Sequence, residues 1–128
     1  MKHRMLLATV AAVALAYGGA VAAEGKAMAK VDEKTNAVKG EVLDLSCYMG
    51  HGGQGEGHAG CAAKCLQGGA PMGLLGTDGA VYLLFADHSD ASAYEKTKGF
   101  AGKNVEVTGD IATKGSLKGI TVHGVKAL

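Results

Sequence analysis

The sequence predicts a mainly β protein, a small five-stranded Greek-key barrel with two short helices. Three observations predict it. Short apolar runs recur from Ala37 onward and are separated by glycine-rich turns. Glycine is abundant (21 of 128 residues), tryptophan is absent and Pro71 is the one proline, a composition that suits short strands and tight turns. Only two stretches combine helix-forming residues with a glycine stop.

The N-terminus reads as a secretory signal over residues 1–23. Lys2, His3 and Arg4 are a basic start, Met5 to Tyr17 is an apolar run, and Ala20-Val21-Ala22 has the small-x-small form of a cleavage site. Cleavage is expected after Ala22 or Ala23. The apolar run is shorter than the ~20 residues that span a bilayer, so a stable membrane anchor is not expected. With this short basic start, the predicted location is a bacterial periplasm. Removing the signal leaves 105 of the 128 residues, enough for one small domain with a modest core. The loss of Lys2 and Arg4 takes the basic count from 13 to 11 against 12 acids, a formal net charge of −1. Such a balance points away from nucleic acid and from anionic membranes as partners.

Residues 24–36 are polar and aperiodic and are expected to form a flexible leader. The domain proper should run over 37–128. Val38, Val42 and Leu43 to Leu45 predict a first strand ending near Ser46. A cysteine-rich insert, 47–69, follows. Five glycines between Gly50 and Gly57 predict a loop, and the alanine-rich stretch His58 to Gln67 predicts a helix stopped by Gly68-Gly69. Ala70 to Leu75 and Ala80 to Phe85 should pair as a hairpin about Thr77-Asp78-Gly79. Ser89 or Asp90 should cap a second helix, Ala91 to Lys98, closed by Gly99. Val105, Val107 and Ile111 alternate along a fourth strand. After a turn at Lys114-Gly115-Ser116, Leu117, Ile120, Val122 and Val125 form the last. Five strands with a helix before the fourth is the order of an OB-type barrel.

Two segments carry a resemblance. Phe100 to Gly109, FAGKNVEVTG, is similar to the lead-in to the fourth strand of small bacterial OB-fold domains. The run GEVLDLSCYMG…HAGCAAKCLQGGAPMGLL…DGAVY, beginning at Gly40, resembles a family of small exported bacterial OB-fold-like domains with a Cys…CxxxC insert. The resemblance covers most of the chain after the signal and implies a fold more than a function.

The chemistry concentrates in the insert. Cys47, Cys61 and Cys65 are the three cysteines of the chain, with His51 and His58 between the first two. An odd count is awkward in an oxidising compartment, because one thiol lacks a partner. Cys61 and Cys65 are four apart on a predicted helix, with Cβ atoms about 5–6 Å apart. A disulfide prefers about 3.5–4.5 Å, whereas two thiolates reach one metal readily with bonds of about 2.3 Å. Three thiolates with His58, or secondarily His51, would suit zinc. Three thiolates alone, with Met49 or Met72 nearby, would suit Cu(I). The candidate ligands are therefore Cys47, Cys61, Cys65, His58 and His51, and the expected cofactor is a zinc or copper ion.

Two other readings stay open: a disulfide from Cys47 to Cys61 or Cys65 stapling a protein- or ligand-binding module, and a thiol redox protein. No paired CxxC occurs, and no CxxCH for covalent haem. The chain lacks the proline and the alternating strand–helix order of thioredoxin-fold copper chaperones. It also lacks the tryptophan of periplasmic OB-fold copper carriers and the His-x3-Tyr of haem-carrying OB domains. The glycine loop has no GK[ST] to hold phosphate. No Ser–His–Asp grouping or carboxylate pair is visible, so a non-catalytic protein is expected, with a periplasmic protein or a metal donor or acceptor as partner.

Overall fold

The computed structural model describes residues 36–128. The expected signal, 1–23, lies outside the described residues, as does the leader up to residue 35. Asn36, the last leader position, is held: its carbonyl accepts the Gly109 N–H at 3.0 Å.

Five strands, β1 (Ala37–Asp44), β2 (Met72–Gly76), β3 (Val81–Ala86), β4 (Asn104–Lys114) and β5 (Leu117–Ala127), close into a ring in the order β1-β2-β3-β5-β4. β4 returns to β1, and all neighbours are antiparallel except β3 with β5. Three helices, α1 (Leu45–His51), α2 (Ala59–Gln67) and α3 (Ser92–Lys98), accompany the strands, and a 3-10 turn, Glu56–His58, leads into α2. The protein is thus mixed α/β, not mainly β with two helices. Among the described residues, no helix is long and apolar enough to cross a membrane.

The ring closes around a core set by strand alternation. Val42, Leu74, Tyr82, Leu84, Val105, Val107, Ile120 and Val122 turn inward, and Met72, Ala101 and, from α2, Ala62 and Leu66 complete the cluster. Inward positions repeat every second residue, as in Val105/Val107 and Ile120/Val122, because successive strand side chains face opposite sides. Gly40 permits a close approach between β1 and β2. A Cβ there would collide with the Leu75 carbonyl across the ladder. The β2–β3 hairpin forms at Asp-Gly as expected. Gly79 has φ +79°, and the Asp78 carboxylate accepts both the Ala80 N–H at 3.0 Å and the Tyr82 hydroxyl at 2.8 Å. Tyr82 is accordingly a packing residue with a satisfied hydroxyl.

The β3–α3 connection is built from carboxylate turns. Asp90 accepts the Ser92 N–H at 2.9 Å, and Asp87 accepts the Ser89 N–H at 2.7 Å. The Ser89 hydroxyl and N–H hold the Asp87 carboxyl below the usual range, at about 2, with His123 adding a smaller attraction. A depressed carboxylate stabilises the fold above its unfolded pKa near 4, and that contribution disappears as pH falls toward 2. Asp87→Asn should therefore lower the thermal midpoint at neutral pH, and its gap from wild type should close on acidification to about pH 2. A gap unchanged by acid would show that these bonds do not depend on an ionised Asp87.

Candidate metal centre

The largest departure from the sequence expectation lies at the start of the insert. The first strand stops at Asp44, and Leu45–His51 is a helix, so Cys47 sits on α1 rather than at a strand end. Ser, Cys, Tyr, Gly and His are mediocre helix formers, and the helix is held by its ends. Asp44 is the N-cap, its Oδ1 accepting the Ser46 N–H at 2.9 Å. Gly52, at φ +72°, closes the other end, and its N–H reaches the Tyr48 carbonyl at 2.9 Å. The glycine loop is consequently shorter than the expected Gly50 to Gly57. The Glu41 carboxylate accepts the Gly55 N–H and ties the loop to β1.

Both helices present a donor pair four residues apart. Cys47 and His51 share one side of α1, and Cys61 and Cys65 share one side of α2. α2 buries Ala62 and Leu66, so its docking on the ring fixes where the two thiols lie. His58 precedes α2 as its N-terminal flank. Its ring packs against Gly53, where any Cβ would come within 2.7 Å of Nε2, and lies edge-on to His51 with centroids 5.4 Å apart.

These placements bring all five expected ligands together, but as two triads rather than one set of four or five. In the first, the ligating atoms of Cys47, Cys61 and Cys65 lie within 4.8 Å of one another. In the second, those of Cys47, His51 and His58 do the same. Cys47 belongs to both. The three cysteines carry free thiols; Cys61 is exposed and the other two are half-buried. Of the methionines offered for Cu(I), Met72 is the β2 partner of Asp44 and belongs to the hydrophobic core, and Met49, on α1, is 79% exposed.

One residue of the centre escaped the sequence reading. Asp44 is 1% exposed, and its second carboxylate oxygen, Oδ2, is buried with no hydrogen-bond partner of regular geometry. Among the described residues no Lys, Arg or His forms an ion pair with it. Burial pushes its carboxyl up, but contacts from the Cys47 thiol, the Ser46 N–H and the Cys65 thiol outweigh this and hold it below the ordinary value. Asp44 in turn pushes the Cys47 thiol up to about 12, and burial adds to the effect. It also raises Cys65. Strand parity was the available signal. Asp44 is two residues beyond inward-facing Val42, so alternation puts a carboxylate on the buried face. His58 Nε2 is the second buried polar atom without a partner.

The centre therefore gathers three sulfurs, two imidazoles and an anionic carboxylate that lacks a cation. The Cys47 and Cys65 thiols and the Ser46 N–H already favour the anion, and a cation bound at the same sulfurs would stand beside it. The raised Cys47 and Cys65 thiols argue against either of these two as an activated redox nucleophile, which needs a lowered pKa. Among the described residues the two remaining histidines stand apart: His88 is exposed, and His123 Nε2 lies 3.1 Å from Asp87 and 3.4 Å from Asp110. Comparison of the chain with protein families, with curated proteins and with solved structures gives no match.

Proposed function

We propose that this protein is an exported, non-catalytic metal-binding module in which Cys47, Cys61 and Cys65 hold a thiophilic ion, Zn(II) or Cu(I). One observation carries the reading: the sulfurs of three free cysteines lie within 4.8 Å of one another, with the buried Asp44 carboxylate beside Cys47 and Cys65. Thiolates are the ligands such ions prefer, and binding replaces the thiol protons that Asp44 otherwise retains. Coordination would also protect the thiols in an oxidising periplasm, where the signal-like N-terminus would deliver the chain. The ring order, with β3 parallel to β5, supports an OB-like Greek-key barrel as the scaffold. Exposed Cys61 gives an ion or a partner's donor group a route to the site.

Zinc added to the reduced protein should raise its thermal midpoint, by about 2.7 kcal/mol of stability at a free concentration of 100 times Kd, and a chelator should reverse the shift. Asp44→Asn retains a cap oxygen for Ser46 but removes the charge. It should weaken zinc by roughly 10- to 100-fold, the usual cost of losing a supporting group beside a metal. Equal affinities of Asp44→Asn and wild type would remove Asp44 from the centre. The absence of any shift with zinc or Cu(I) would remove the metal reading.

A further inference from the structure

We propose that the centre holds two metal ions at once, bridged by the Cys47 thiolate. The inference rests on the metal-binding reading above and concerns its stoichiometry and architecture. The two triads share Cys47 and nothing else. A single ion on the three sulfurs would leave His51 and His58 unused. A single ion on Cys47 and the histidines would leave Cys61 and Cys65 idle beside Asp44. Two ions use every donor. One takes Cys47, Cys61 and Cys65, and the other takes Cys47, His51 and His58.

Binding sends three thiol protons to solvent and leaves three thiolates. A thiolate carries the lone pairs needed to bond two ions. With Zn–S bonds of about 2.3 Å, the ions of a shared sulfur lie no more than about 4.6 Å apart. Each ion then has three protein donors and a fourth position open to water or to a donor from another protein. The local frame is set before binding. α1 holds Cys47 and His51 one turn apart, α2 holds Cys61 and Cys65 likewise, and Gly53 leaves room for the His58 ring.

The test is native mass spectrometry of the reduced wild-type protein titrated with zinc, alongside two double variants. Wild type should take up two zinc ions. His51→Ala/His58→Ala and Cys61→Ser/Cys65→Ser should each take up one. A wild type that saturates at one ion overturns the two-ion centre and leaves the metal-binding reading intact, whereas a wild type that binds none overturns both. A second ion that persists in the His51→Ala/His58→Ala protein is adventitious and also overturns the proposal. Cadmium NMR of the wild type needs no variant to fold. Two resonances, one from a sulfur-only and one from a mixed sulfur–nitrogen environment, are expected; a single resonance contradicts the bridge.

Discussion

Cys47→Ser is expected to weaken zinc binding more than any other single cysteine change, by well over 100-fold. Cys47 is the one residue common to both triads. Serine in its place leaves two sulfurs on α2 and two imidazoles beside α1, each set one donor short. Losing a supporting group beside a metal costs about 10- to 100-fold, and losing a direct ligand shared by both sets should exceed that. Cys61→Ser should weaken only the sulfur triad, because Cys61 is absent from the histidine set. Competition against a chromophoric chelator reads both affinities. Equal losses for Cys47→Ser and Cys61→Ser would show that Cys47 has no special place. The substitution should leave the metal-free fold nearly intact, since the Cys47 side chain is only half-buried and outside the core cluster.

Leu66→Ala should have the largest effect on stability, a loss of about 2–5 kcal/mol. Leu66 is fully buried and belongs to the same cluster as Val42, Leu74 and Val107. It is also the main large apolar residue through which α2 reaches the ring. A domain of this size is stable by about 5–15 kcal/mol, so the substitution removes a substantial share. The damage should extend to the centre, because Cys65 adjoins Leu66 and Cys61 shares its helix. Saturating zinc should accordingly restore part of the lost stability by favouring the docked helix. Chemical denaturation of both proteins, with and without zinc, measures this coupling. A loss below about 1 kcal/mol would mean that α2 is not seated by Leu66.

The features legible in the sequence were those with strong local causes. All five strands were visible because inward apolar residues recur at every second position, as in Val105/Val107 and Ile120/Val122. α2 was visible from its alanines and from Gly68-Gly69, and the face shared by Cys61 and Cys65 follows from helical spacing. α1 was hidden because five of its seven residues, Ser46, Cys47, Tyr48, Gly50 and His51, have little intrinsic helix preference. Asp44 and Gly52 mark its ends, but the apolar run Val42-Leu43 continues through Asp44 to Leu45 and reads as uninterrupted strand. That error moved Cys47 from a helix to a strand end and obscured its i, i+4 relation to His51. The division of the ligands into two triads depends on how α1 and α2 face each other across the loop. Such long-range geometry has no signature in spacing alone.

The most direct test of the central claim is the metal content and thiol count of the protein isolated natively from its host. Native mass spectrometry gives the bound metal, and thiol labelling after unfolding gives the redox state. Bound zinc or copper is expected, with Cys47, Cys61 and Cys65 all free after unfolding. A metal-free protein in which two of these cysteines form a disulfide and one remains free would contradict it.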